Sequence, residues 1–420
     1  MTKQGSDKAH SSGLSRRTLL SSSASLTAAS LLSGQASASP SRRGSARPVL
    51  VHIFLRGAMD GLTMVPPHGD DQLYARRPNL GIPPPGQTNG AVDLDGFFGL
   101  APAAAPLLTP YSNGHLAVVN ACGSDDATRS HFEAFVRMES GDSSLPTGVI
   151  TTGWLARYLT ATAASATGSL RAIASGSLLP FVLRGASNAL PIPSFGNFVF
   201  PGRVTTATQR EAVVLSTYAR RAPPVGQAAL DTIAAFGLGG IDFENYVPEN
   251  GAQYPDTGLG LRMRNTAALI KGDIGLEAIT IDIEGWDLHA SQGPLVGPMA
   301  RLMADLTGAL EAFYLDLLGH LDDYLLVCVS EFGRKAAENG SAGTDHGHGN
   351  AMFVLGGGVN GGQVISDWPG LRPIDLDQGD LAITIDYRDI LAEILLERFG
   401  FTDLATVFPA HTFVPRGVTT

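Results

Sequence analysis

Charge is scarce in this chain: of 420 residues only 16% are Asp, Glu, Lys or Arg, and the formal net charge is −10. An acidic chain offers no basic stripe to neutralise phosphates, which excludes a nucleic-acid binder. Cysteine is almost missing, with Cys122 and Cys328 the only two. Two thiols cannot staple a disulfide scaffold, and both fall in apolar runs, where buried free thiols are expected. Beyond the leader described below, no apolar run reaches the length of a membrane-spanning helix. The 50 glycines have no three-residue period, so a collagen is excluded. What is plentiful is hydrophobic residues, 44% of the total, far too many for a disordered chain. That supply is enough for one large domain or two ordinary ones.

The first forty residues read as a targeting segment rather than as part of a fold. A polar stretch ends in Ser15-Arg16-Arg17-Thr18-Leu19-Leu20, and a mildly apolar Ser/Ala-rich run follows to about Leu32. Ala36-Ser37-Ala38 has the small-x-small form of a signal-peptidase site. Paired arginines before a weakly apolar segment resemble a twin-arginine export signal. The expected layout is a signal peptide over 1–38, a flexible linker over 39–47 and a folded domain over 48–420. The resemblance implies a bacterial protein exported already folded by the twin-arginine machinery, to the periplasm or the extracellular side, often with its metal or cofactor loaded.

Apolar runs of strand length recur at Val49–Leu55, Leu116–Cys122, Ala278–Ile283, Tyr324–Ser330 and Ala351–Leu355. Continuous rather than alternating apolarity predicts strands covered on both faces, as in a parallel sheet. Between them, Leu302, Leu306, Leu310, Phe313, Leu317 and Leu321 form one apolar stripe at helical spacing. Ser130–Glu139 and Tyr387–Phe399 also read as helices, the second stopped by Gly400. Strand, loop and helix in alternation predict an open α/β sheet. The stretch over about 155–275, rich in Ala, Gly and Ser, reads as a helical or irregular insertion.

In such sheets ligands bind outside the carboxyl ends of the strands. Polar residues cluster there in this sequence. Asp60 follows the first apolar run; Thr128, Arg129, Ser130 and His131 follow the second; Asp287 and His289 follow the third. Glu331 directly follows the fourth, while Asp345, His346 and His348 precede the fifth. Mixed Asp, Glu and His ligands suit a divalent metal, with Zn, Mn, Mg and Ca all left open. A metal-adjacent Ser130 or Thr128 is the candidate nucleophile, and Arg129 the candidate clamp for an anionic group. Each feature has a plainer alternative: Asp60-Gly61 as a turn, Thr128 and Ser130 as helix caps, Glu331 as an ion-pair partner. His52, inside an apolar strand, reads as a hydrogen-bonded core residue. Gly356-Gly357-Gly358-Val359-Asn360-Gly361 matches a dinucleotide fingerprint by letter, but no helix or acidic partner follows it.

Taken in order, Phe54-Leu55-Arg56-Gly57-Ala58-Met59-Asp60-Gly61-Leu62, Thr128-Arg129-Ser130-His131-Phe132, Gly285-Trp286-Asp287-Leu288-His289, Ser330-Glu331-Phe332-Gly333-Arg334 and Asp345-His346 form a set. With the leader, this set resembles the bacterial family of unknown function numbered fifteen-oh-one, from about Val49 to Phe399. That family is grouped with the alkaline phosphatase and sulfatase superfamily. The resemblance implies an α/β/α sandwich with a mostly parallel central sheet and a metal site at its carboxyl edge. It also implies hydrolysis or transfer of phosphate or sulfate esters. On the superfamily pattern Asp60 matches the first metal-binding aspartate, Asp287 and His289 a ligand pair, and His346 the last histidine ligand. Glu331-Phe332 stands where an Asp-His pair is usual, so one histidine is missing, and His131 is a candidate replacement. In the superfamily's mutase branch the nucleophile position falls on Ala127, with Thr128 and Ser130 out of register.

The expectation is therefore an exported hydrolase-like protein with one or two divalent metals held by Asp60, Asp287, His289, Glu331 and His346, supported by His348 and Asp345. Its substrate would be a small-molecule or polymer-borne anionic ester, attacked in line. Two other readings stay open: a non-catalytic exported binding or structural protein on a degenerate hydrolase scaffold, and a metal-free serine esterase using Ser130, His289 and Asp287.

Overall fold

The central strand β1 (Val49–Leu55) shows why the fold has three layers. Its seven residues are all buried. Val49, Val51, Ile53 and Leu55 pack into one apolar cluster, while Leu50 and Phe54 pack into another. Successive strand side chains point to opposite faces, so both faces of the sheet are covered. The first cluster includes the helices Gly258–Lys271 and Pro298–Asp316; the second includes Trp154–Ala161 and Tyr387–Glu397. The result is an α/β/α sandwich in a computed structural model that describes residues 47–420, apart from 127, 143, 164–169 and 223–224. The leader, Ala127 and all but the last residue of the expected linker lie outside the described residues. Ser45–Thr420 clusters as one unit.

The other strands in chain order are β2 (Val92–Asp93), β3 (Gly99–Leu100), β4 (Leu116–Gly123), β5 (Ala172–Ala174), β6 (Ala189–Pro191), β7 (Ala278–Ile283), β8 (Tyr324–Val329), β9 (Asn350–Gly356), β10 (Gln363–Ile365) and β11 (Ile385–Asp386). β2 and β3 form a separate antiparallel ribbon. The large sheet has the order β10-β4-β9-β8-β1-β7-β5-β6, with β11 also on β4. All its pairings are parallel except those of β9 with β4 and β8. The start of β9 therefore lies at the same edge as the ends of β4, β8, β1 and β7.

The five expected strands are present. The stretch over 155–275, expected as an insertion, supplies β5 and β6 to the sheet as well as helices. At three residues each, Ala172–Ala174 and Ala189–Pro191 are too short to give an apolar run. The expected stripe reaching Leu321 also needs correction, because the helix ends at Asp316 and a 3-10 turn runs over Leu318–Asp323. Gly319 and a non-helical His320 break the period there. Near its end β4 carries a register shift against β9, with Ala121 at φ 53°. Such a bulge turns the strand out of its ladder, here just before the loop leading to His131.

His52 is core, as expected, but it lacks the expected hydrogen bond: its Nδ1 is buried with no partner among the described residues. Burial, with Arg56 nearby, lowers its pKa from 6.5 to about 3, so the folded protein holds it neutral. A depressed histidine contributes stability that is complete above 6.5 and is lost as pH falls below it. Between pH 7 and pH 5 this group alone should remove about 2 kcal/mol, at about 1.4 kcal/mol per pKa unit. Urea unfolding at the two pH values should show that loss in the native chain and a smaller one in His52→Leu. Equal losses would show that His52 does not carry the dependence.

Candidate metal centre

Four loops meet at the carboxyl edge. The loop after β7 carries Asp287 and His289, Glu331 follows β8, His346 precedes β9, and His131 opens the helix His131–Ser140 after β4. Three imidazoles converge on one carboxylate oxygen. From Asp287 Oδ1 the Nε2 atoms of His289, His346 and His131 lie at 3.0, 3.2 and 3.5 Å. The Nε2 atoms of His289 and His346 are 2.9 Å apart. One ligand atom each from His131, Asp287 and His346 falls within 4.8 Å of the others, spacing that could hold a metal ion.

The far side of each ring is held. His346 Nδ1 is 2.8 Å from the carbonyl oxygen of Arg129, which can only accept, so Nδ1 carries the proton. His131 Nδ1 donates to the buried Glu331 carboxylate at 2.6 Å. His289 Nδ1 lies 3.4 Å from Asp345 Oδ1. A proton on Nδ1 leaves a lone pair on Nε2, the arrangement by which carboxylates and carbonyls orient metal-binding histidines. His131 Nε2 is buried and has no hydrogen-bond partner among the described residues. An orphaned lone pair facing a carboxylate and a second imidazole is a site short of one cation. The His131 and His346 imidazoles and the Asp287 carboxylate therefore fit a divalent ion, with His289 beside them against Asp287 and His346.

Although burial pushes the other way, Arg334 at 2.8 Å holds the Asp287 carboxyl down to about 2, so it is ionised. The hydrogen bond to Glu331 raises His131, favouring a second proton on its Nε2 that a bound cation would displace, whereas burial lowers His346 and favours its free Nε2 lone pair. Phe332 stacks on His131 with ring centroids 5.1 Å apart, walling one side. Arg334, 1% exposed, also donates to the carbonyls of Gly57, Ala58, Trp286 and Thr344, tying three loops together. At Gly57, with φ +113°, an added Cβ would sit 2.6 Å from the Asp287 backbone nitrogen. Glycine there lets the β1 loop touch the loop that carries the carboxylate.

The remaining expected site residues are placed otherwise. Asp60 is buried as the N-cap of Gly61–Met64, and its carboxylate is taken up by Arg77 Nη1 at 2.7 Å, Gln292 Nε2 at 2.7 Å and Thr63 Oγ1 at 2.8 Å. Its contacts include none of the three imidazoles. Glu331 accepts from the backbone N–H groups of Gly57 and Ala58 at 2.8 and 2.9 Å besides His131, and so ties the His131 ring to the β1 loop. His348 spends Nδ1 on Asp377 at 2.9 Å and sets Nε2 3.1 Å from the carbonyl of Asp126. Asp345 lies exposed at the rim beside His289. Arg129 is ion-paired with the buried Asp380. Thr128 Oγ1 donates to Glu133 at 2.8 Å, whereas Ser130 opens its helix without a side-chain capping bond. Two residues that matter here, Arg334 within the Ser330–Arg334 motif and Asp380, were not expected site residues. An arginine directly behind an acidic strand end was the available signal.

Because Glu331 acts through His131, Glu331→Gln should keep its backbone contacts and weaken the hold on the ring. Affinity for a divalent metal ion, read by chelator competition, is expected to fall about 10- to 100-fold. An unchanged affinity would remove Glu331 from the centre.

Residues 266–408 match the family described as Protein of unknown function (DUF1501). That stretch holds Asp287, His289, Glu331, Arg334 and His346; His131 lies outside it. No curated protein matches the chain. Among solved structures, Ps i-CgsB in complex with k-i-k-neocarrahexaose is 10% identical, covering 86% of this chain and 74% of its own, with a TM-score of 0.38. The lipoteichoic acid synthase LtaP from Listeria monocytogenes is 10% identical over 80% of this chain and 74% of its own, TM-score 0.35. A mutant of the alkaline phosphatase PafA is 12% identical over 69% and 64%, TM-score 0.33. The layering described above stands on this chain's own sheet order, and the centre on its own contacts.

Proposed function

We propose that the chain is an exported, metal-dependent hydrolase of anionic esters, phosphate or sulfate. The observation that carries this reading is the convergence of His131, His289 and His346 on Asp287, with the Nδ1 face of each ring set against an oxygen. These four residues would hold the metal. Imidazole-rich sets with one carboxylate favour zinc over magnesium or calcium, which take oxygen ligands. A bound divalent ion supplies Lewis-acid polarisation of an ester oxygen.

The chain's own groups do the rest. Glu331 and the Arg129 carbonyl hold the protons of His131 and His346 on Nδ1, so that Nε2 is the face each ring would turn to the metal. Arg334 keeps Asp287 ionised and aimed. Ser130 stands beside His131 at a helix N-terminus with its hydroxyl not spent on capping, and is the candidate attacking group for in-line displacement. Arg129, paired with Asp380, is assigned to placing the His346 acceptor rather than to clamping the substrate. The Arg16-Arg17 leader supports twin-arginine export to the periplasm or beyond.

The test is elemental analysis of protein recovered from the exported fraction, followed by assay on aryl phosphate and aryl sulfate. About one zinc per chain and chelator-sensitive turnover that falls in Ser130→Ala are expected. Protein confined to the cytoplasm would overturn the export reading. Metal bound without turnover of either ester class would leave a binding protein, and chelator-resistant cleavage of carboxyl esters a serine esterase.

A further inference from the structure

On the β5 side of the loop that carries Asp287, a cavity of about 450 Å³ opens at the carboxyl ends of β5 and β7. That volume falls in the range of small-ligand pockets, about 300–1,000 Å³. Its wall includes Ser175, Ser177, Thr280, Asp282, Glu284 and Arg262. Thr280, Asp282 and Glu284 alternate along and just beyond β7, which places them on one face. Thr280 is 2% exposed, and its hydroxyl has no hydrogen-bond partner among the described residues. A buried hydroxyl left unpaired at a cavity wall is one that a ligand can satisfy.

The charges on this wall largely answer one another. Asp282 accepts from Arg56 Nε at 2.7 Å, and Arg262 donates to the Asp282 carbonyl at 2.8 Å. Arg262 also lies in the field of Asp282, Asp305 and Glu284. An anion entering here would meet the Asp282 and Glu284 carboxylates, and a cation would meet the Arg262 guanidinium, with Arg56 already answering Asp282. A neutral molecule bearing several hydroxyls escapes both penalties. Each of its hydroxyls can donate to a carboxylate oxygen or accept from a guanidinium or serine hydroxyl.

We propose that this cavity is a sugar subsite, taking the neutral polyhydroxylated body of an ester whose anionic group is handled at the metal centre. The proposal rests on the hydrolase reading for its second half only, since sugar binding itself needs no metal. The test is saturation-transfer NMR on the full chain with methyl glycosides of glucose, galactose and mannose, with and without chelator. Transfer to at least one glycoside is expected, and it should persist after the metal is stripped. Ser177→Trp, at an exposed position, should fill the cavity and abolish transfer, while Glu284→Gln should weaken binding about tenfold, as loss of one charged hydrogen bond does. Both variants should keep their metal content and circular dichroism. No transfer to any of the three glycosides, or undiminished transfer in Ser177→Trp, would overturn the subsite. A protein that binds sugar but no metal keeps the subsite and sinks the hydrolase reading; one that binds metal but no sugar does the reverse.

Discussion

His346→Ala should bind zinc at least about a hundredfold more weakly than the native chain, since removing even a residue behind a ligand costs 10- to 100-fold. His346 has the most connected ring of the cluster. Its Nε2 lies 2.9 Å from His289 Nε2 and 3.2 Å from Asp287 Oδ1, and its Nδ1 is fixed by the Arg129 carbonyl at 2.8 Å. Alanine removes one donor and also the neighbour that sets the His289 ring. Metal content by elemental analysis should fall from about one ion per chain to a small fraction of that. His348→Ala is the control from the same loop. That ring is engaged by Asp377 and the Asp126 carbonyl, so its loss should leave the metal in place. Equal metal loss in both variants would mean that the loop, not the His346 ring, is what matters. Unchanged metal in His346→Ala would dissolve the proposed centre.

The contrast between these two histidines also shows what a sequence can convey about such a site. The strands of the sheet were legible because parallel strands buried on both faces leave continuous apolar runs. Their carboxyl ends then pointed to the loops that the structure brings together. Position along a loop does not reveal where a side chain points, however. Asp345, His346 and His348 sit together in sequence, yet His346 turns to Asp287, His348 to Asp377 and Asp345 to the rim. His131 was legible only as a substitute for an absent histidine, because it comes from β4, separated from β8 in the sheet by β9. The division of labour between Asp287 and Glu331 was hidden for a different reason. Both are acidic residues behind a strand, and the distinction lies in the Gly57 and Ala58 N–H groups that occupy Glu331.

Asp60 likewise turns away from the histidines, to Arg77, Gln292 and Thr63, and its pairing with Arg77 sets the largest expected effect on stability. Arg77, 1% exposed, donates to Asp60 at 2.7 Å and to the carbonyls of Ala336 and Lys335. Arg77→Met would leave the Asp60 carboxylate buried without its counter-charge, a loss of about 3–5 kcal/mol for breaking a buried pair from one side. Urea unfolding should register it as a lower midpoint. Adding Asp60→Asn to that variant should recover part of the loss, because the uncompensated charge is gone. Asp60→Asn alone should lower stability while leaving the metal content untouched, since its partners are Arg77, Gln292 and Thr63 and not the histidines. The two measurements separate the roles cleanly: a ligand loses metal, a buried ion-pair partner loses stability. Should Asp60→Asn release the ion at an unchanged unfolding midpoint, Asp60 belongs to the centre and the four-residue set built on Asp287 is incomplete.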